Sequence, residues 1–401
     1  MVFLLLVAAR VAAEAVPQTL VLRVGTSGDY APFSFRDASG ALTGFDVAVA
    51  RRFGEDRGRP VVFEPFRWPD LIAQLRAGVF EVAMSGVTVR ADRALFVGFT
   101  RPYAMSGAVA VIRAASGKKF RSVVDLDRDT VRIAVNRGGH LEQVARQRFV
   151  HAQLVSLENT ALQSALARGE VDAVVSEAFE ARTWTAAPFV ILGPFTHDRK
   201  AYAVRRENGD LLRQMDDWLA AREADGWLNE QRRRWLGERA VRPPEQAGVE
   251  ALVAALDLRL QLMPLVAAVK RREHLPIEDP GQEARVIERV HSAASAAGLQ
   301  SDAVVDLFRI QMEAAKAVEH AAAGAAVPAD VTLDDVRAAV AAASDQVIAE
   351  LVRCQAWLVA PQLREQLSVT MRAGLTAPGA EPFVTRLLDA LQHVPGVAPR
   401  P

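Results

Sequence analysis

A chain of 401 residues with 48 Lys plus Arg against 48 Asp plus Glu has room for two or three domains and no net field, which excludes charge-driven binding to nucleic acid or an anionic membrane surface. Its single cysteine, Cys354, excludes an intramolecular disulfide and a cysteine-based metal cluster. Hydrophobic residues make up 50%, within the globular range, and the seven histidines fall at no metal-ligand spacing, so neither a metal nor any other cofactor is expected.

The N-terminus opens with the apolar run Met1 to Ala9, and Ala13-Glu14-Ala15 follows in an Ala-x-Ala pattern. That run is too short to span a membrane and reads as a secretory signal over residues 1–16. The expectation is an exported, periplasmic protein with no membrane attachment after cleavage.

From about residue 18 to 237 strands and helices alternate. Val21–Gly25 reads as a strand, Phe45–Phe53 as an amphipathic helix and Val61–Glu64 as the next strand. Trp68-Pro69 opens the following helix with proline near its start, and the strand Val79–Met84 runs into Ser85-Gly86-Val87-Thr88. Such alternation predicts a parallel α/β sheet, whose ligands bind beyond the carboxyl ends of the strands. Polar residues gather there: Asp29 and Tyr30, Ser85 to Thr88, Asn136 to His140, and Glu177.

The stretch Asp172 to Arg182 is the most telling. Val174-Val175 reads as a buried strand, and Ser176 is a good N-cap for a helix carrying Glu177 and Glu180 on one face. Two close, buried carboxyls repel, so one keeps its proton near neutral pH and can act as a general acid. The plainer alternative is a solvated acidic first turn favoured by the helix dipole.

The segments Gly25–Phe35, Gly44–Val47, Met84–Thr88 with Arg93, and Lys200–Val204 resemble the periplasmic amino-acid-binding protein superfamily. That resemblance implies two lobes around a ligand cleft, with crossings near Ala108–Arg113 and Val190–Thr196. It also implies that Arg93 grips a ligand carboxylate beside polar groups at Ser85 and Thr88, a task suited to a planar guanidinium. Gly28-Asp29-Tyr30, Trp68-Pro69, Asn136 with Gly138-Gly139, and Glu177 to Arg182 are closer to its enzyme branch, the cyclohexadienyl (prephenate/arogenate) dehydratases. By that likeness Asp29, Trp68, Asn136, Gly139 and Glu177 bind substrate and Glu180 is the catalytic acid. The chain departs from that branch at Ala108, where a lysine is usual, at His140, where threonine is usual, and at Glu177, where aspartate is usual.

Glu238 to Gly248, with Pro243-Pro244 in a charged run, reads as a linker. Beyond it, over residues 249–401, apolar residues recur at helical spacing without strand-like alternation. Helices are expected over Val249 to about His274 (with Pro264 inside), Asp279 or Pro280 to Ala297, Asp302 to Ala323, and Leu333 to Leu358, with shorter ones after Pro361. Arg259 and Lys270, eleven residues apart, share an otherwise apolar face.

This half resembles the all-helical chorismate mutases, especially the secreted class. The likeness implies that Lys270 donates to the ether oxygen of chorismate, that Glu319 approaches it from the other side, and that Arg259 and Arg337 bind carboxylates. Gln282 stands where an arginine is usual, and Arg285, three residues on, can reach the vacated place. Ala315 and Val286 are further departures. A catalytically silent helical dimerisation or cap module is the alternative.

The expected architecture is therefore an α/β two-lobe periplasmic-binding-protein-like domain followed by an all-α helical chorismate-mutase-like domain. The expected substrates are chorismate, prephenate and arogenate, and a homo-oligomer is compatible with the pattern. An amino-acid-binding protein fused to a non-catalytic helical module is the competing reading.

Overall fold

The computed structural model describes residues 21–184, 188–322, 324–358 and 361–394. The stretch expected as a signal, residues 1–16, lies outside the described residues.

Two five-stranded sheets form two lobes. In the first the spatial order is Val61–Pro65, Leu22–Thr26, Val82–Ala83, Ala203–Arg205, Val97–Phe99. The first three strands run parallel, and Ala203–Arg205 runs against both its neighbours. The second sheet follows the same plan, in the order Gln153–Leu157, Arg132–Asn136, Ala173–Glu177, Ala108–Arg113, Phe189–Leu192. Runs such as Ala173-Val174-Val175 and Ala108 to Ile112 are buried throughout, as strands covered on both faces must be.

The chain crosses between lobes on a short antiparallel ribbon, Ala104–Ser106 paired with Asp198–Lys200. The crossings expected near Ala108–Arg113 and Val190–Thr196 are therefore displaced. Ala108–Arg113 is an inner strand of the second sheet, and Val190 to Leu192 belong to its edge strand. Sheet pairing, not crossing, is what their unbroken apolar character serves.

The helical half comprises Pro244–Gln261, Met263–Arg272, Pro280–Ala296, Ser301–Ala321, Leu333–Leu358, Pro361–Gly374 and Val384–Leu391. The single helix expected from Val249 to His274 is two, parted at Leu262, because Pro264 has no N–H to continue the ladder. This pair is apolar and long enough to cross a membrane, but 89% of its most apolar window is buried inside the protein. It is a core element.

The segment expected as a linker is also structured. Glu238–Ala240 forms a 3-10 turn, and helix begins at Pro244, where proline suits the first turn. Arg242 is 6% exposed and donates to Glu223 Oε1 at 3.1 Å, to the Pro102 carbonyl at 2.9 Å and to Glu250. A residue expected on a solvated tether is a buried fastener.

One apolar core runs across the join. Phe66, Leu71, Leu75, Phe80, Val97 and Phe99 of the first lobe belong to the same cluster as Val249, Leu252, Leu256, Phe308, Val347 and Leu351 of the helical half. The second lobe packs around clusters of its own.

Candidate active sites

The strand Ala173–Glu177 ends deep between the lobes. Glu177, rather than Ser176, caps the helix that follows, its Oε2 accepting from the N–H groups of Phe179 at 2.9 Å and Glu180 at 3.2 Å. Ser176 donates its hydroxyl to Glu180 Oε2 at 2.6 Å, and Asn159 Nδ2 donates to Glu180 Oε1 at 2.8 Å. Burial pushes both carboxyls up to about 7, and it outweighs the mutual repulsion expected from their spacing. The negative charge that raises Glu180 further is that of Asp29.

The cleft around Glu180 encloses about 20 Å³. The first lobe contributes Tyr30, Trp68, Thr88 and Arg93, the second contributes Asn136, Gly139, His140 and Asn159, and the ribbon contributes Lys200. The lobes touch across it. Asn159 Nδ2 donates a second hydrogen bond to the Asp29 carbonyl of the first lobe at 2.9 Å. Gly138, at φ +68°, lies so close to Pro69 that a Cβ would come within 2.6 Å of its ring.

Of the expected binding residues, Trp68, Thr88, Arg93, Asn136 and Gly139 line this cleft beside Glu180. Asp29, Ser85 and Glu177 do not. Ser85 is fully buried in a hydroxyl cluster with Ser27 at 2.9 Å and Ser34 at 2.7 Å. Glu177 is fully buried behind the wall, one oxygen used for capping and Oε1 unpartnered. Asp29 meets the cleft's edge through its carbonyl.

Two cations dominate the lining. Arg93 is 6% exposed, donates only to the Thr88 carbonyl at 3.2 Å among the described contacts, and is lowered by burial to about 10. Lys200 is 2% exposed and donates to Thr88 Oγ1 at 2.9 Å. His140 lies 3.2 Å from Asp198 but off hydrogen-bond geometry, and its burial lowers its affinity for a proton. Asn159 escaped the sequence reading, although it follows the strand Gln153–Leu157 at the carboxyl edge where ligands bind.

A second cavity, of about 250 Å³, lies among the helices. Arg259, Lys270, Gln282, Arg285, Glu319 and Arg337 all line it, as do Val286 and Ala315. Lys270 Nζ lies 3.0 Å from Glu319 Oε2, whose carboxyl is raised by burial against the pull of that lysine. Arg337 pairs with Asp279 at 2.8 Å. Gln282 Oε1 accepts from Arg285 Nε at 3.2 Å and from a terminal nitrogen at 2.9 Å, fixing that guanidinium at the wall.

Arg259 is 3% exposed, over the Phe308 ring at 5.5 Å, with Gln311 and Ser344 as weak 3.3 Å acceptors. No carboxylate among the described residues lies within ion-pair range of it, and burial lowers it to about 10. Lys316 and Arg289 also line the cavity, paired with Glu283 at 3.4 Å and Asp345 at 2.5 Å. Both were missed, yet Arg289 follows Gln282 and Arg285 at helical spacing on one face. The lining totals six Lys or Arg side chains against four acids, a net basic surface.

Two α/β lobes around a cleft, followed by a helical half with a cavity lined by basic residues, define the class of protein. The chain belongs to the bacterial extracellular solute-binding proteins, family 3, matched over residues 22–238. Residues 250–320 match chorismate mutase type II. The fold expected from the sequence is the fold observed. The cyclohexadienyl dehydratase of Pseudomonas aeruginosa is 32% identical over 222 residues, covering 54% of this chain and 82% of that protein. The L-cystine-binding protein TcyJ of Escherichia coli is 28% identical over the same shares. The crystal structure of an ancestral amino acid-binding protein, described as a precursor of cyclohexadienyl dehydratase, aligns with a TM-score of 0.53 at 31% identity. It covers 55% of this chain and 96% of that one.

Proposed function

We propose that the chain is an exported bifunctional enzyme that rearranges chorismate to prephenate and then dehydrates and decarboxylates prephenate or arogenate. The observation that carries this reading is Glu180, a carboxyl held near pH 7 by burial, in a cleft with Arg93 and Lys200. An amino-acid-binding protein needs a carboxylate ionised to meet its ligand's ammonium, whereas Glu180 keeps its proton up to about pH 7, as a general acid must.

The chemistry follows from the substrate. Hydroxide leaves a ring carbon poorly until it is protonated. Glu180 gives its proton to the ring hydroxyl, which departs as water while the bond to the ring carboxylate breaks and carbon dioxide leaves. The electrons of that bond complete the aromatic ring, and Glu180 regains a proton from solvent. One positioned acid and a cationic clamp are sufficient, because aromatisation drives the rest. The cleft is far smaller than a ten-carbon substrate requires, so loading needs the lobes to part.

In the helical cavity Arg259, Arg285 and Arg337 hold the two carboxylates of chorismate, while Lys270 and Glu319 face the ether oxygen. The rearrangement is pericyclic, so oriented charge and a closed shape are what the protein must provide.

The test is to give purified full-length protein chorismate and follow prephenate and phenylpyruvate in time. Prephenate should rise and then fall as phenylpyruvate accumulates. Absence of both products, with tight binding of an amino acid instead, would establish the transport reading.

A further inference from the structure

Charge in the dehydratase cleft is lopsided. Arg93 and Lys200 face it, and Glu180 is the one carboxyl on its lining. Lys200 gives one N–H to Thr88 Oγ1 at 2.9 Å and reaches the Tyr30 hydroxyl at 3.5 Å, with the Tyr30 and Phe33 rings at 5.7 and 5.6 Å. An ammonium has three N–H groups, so at least one remains for a ligand. No carboxylate among the described residues lies within 4 Å of Lys200 or Arg93, so neither buried cation is held in a direct ion pair and both are open to an arriving anion.

The carboxyls farther off are engaged elsewhere and stand back from the lining. Asp46 is committed to the Gly86 N–H and to the Tyr103 and Tyr202 hydroxyls, and Asp198 lies 3.2 Å from His140. An incoming ammonium would find Glu180 alone among the carboxyls on the lining. Glu177 lies behind the wall with one oxygen committed to backbone N–H groups.

Resting on the dehydratase reading above, we infer that Lys200 is a substrate-binding residue that, with Arg93, grips the two carboxylates of a keto dicarboxylate, so that the cleft selects prephenate over arogenate and over free amino acids. Arogenate offers the same two carboxylates but adds an ammonium to an already cationic site. Electrostatic mismatch of this kind disfavours the wrong ligand as strongly as good contacts favour the right one.

The experiment measures kcat and KM of the full-length protein with prephenate and with arogenate, for wild type, Lys200→Met and Lys200→Arg. Wild type should prefer prephenate by about tenfold or more in kcat/KM. Lys200→Met keeps length and apolar packing while removing charge, and should lower kcat/KM for prephenate about a hundredfold, mainly through KM. Its effect on arogenate should be smaller, so the preference narrows, and Lys200→Arg should restore part of it. A melting temperature for Lys200→Met at or above wild type would show that the loss is not unfolding. Turnover of both compounds with no preference, or a preference unmoved by Lys200→Met, overturns this inference alone. Turnover of neither by wild type overturns it together with the dehydratase reading.

Discussion

A proton on Glu180 links burial to rate and to stability. Its carboxyl is raised from 4.5 to about 7, burial being the main cause. The acid form therefore persists up to about pH 7 and is lost above it, so dehydration should fall with rising pH on the alkaline side of 7. Glu180→Gln preserves shape without an ionisable proton and should abolish phenylpyruvate formation while leaving prephenate affinity within about tenfold. Near wild-type turnover would place the acid elsewhere. The same variant should change stability with a definite sign. A raised acid favours the fold below its unfolded value, and that contribution disappears as pH rises through 7. At pH 8 the buried anion costs on the order of 2–3 kcal/mol, so Glu180→Gln should raise Tm more at pH 8 than at pH 5. Arg93→Ala, in contrast, should weaken carboxylate binding at every pH, since no other group replaces its guanidinium; unchanged affinity would remove Arg93 from the clamp.

At the level of elements, the turn after Gln153–Leu157 is an unforeseen contributor. Asn159 donates to Asp29 in one lobe and to Glu180 in the other, so closing the cleft and orienting the acid are one event. Asn159→Ala should cut kcat more than it raises KM, because substrate still meets the cations while the acid is less well held; a pure KM effect would refute that link. Among the helices, Gln282 supports Arg285 rather than replacing an arginine outright. Arg285→Ala and Gln282→Leu should both raise KM for chorismate, and Lys270→Ala should remove mutase turnover altogether; wild-type KM in the first two with turnover kept in the third would dismiss the pocket. The sequence disclosed these elements unevenly. Arg259 and Lys270 stood out because charge set on an apolar helix face is conspicuous, Glu180 because it lies three residues from Glu177 after a buried strand, and Arg93 through the family resemblance. Asn159 and the Ser27–Ser34–Ser85 cluster did not, since neutral polar residues look alike whether they face ligand or core. The lobe crossings were misplaced because a three-residue ribbon leaves almost no periodicity to read.

At the scale of the whole molecule, the first lobe and the helical half share one apolar core and are pinned by buried ion pairs. Arg199, on the crossing ribbon beside Lys200, meets Asp257 at 2.5 Å, two residues before Arg259 of the helical cavity. Arg101 approaches Glu350 at 3.5 Å, and Arg242 bridges Glu223 and Glu250. Heating should therefore melt the first lobe and the helices in one transition, detectable by calorimetry; two well-separated transitions, one for each, would contradict it. When the cleft opens, the free jaw is the second lobe, whose clusters are its own.

That common core has a consequence at the level of the gene. Two halves divided near Pro243 and made as separate chains would not each be self-sufficient. Division there would leave the first lobe with Phe66, Leu75 and Phe99 uncovered and strip the opposite wall from Val249, Leu252 and Leu256. Both fragments would then present apolar surface prone to association. On the proposed function, a destabilising lesion in the helical half should lower dehydratase activity in the cell as well, so the two steps would be lost together.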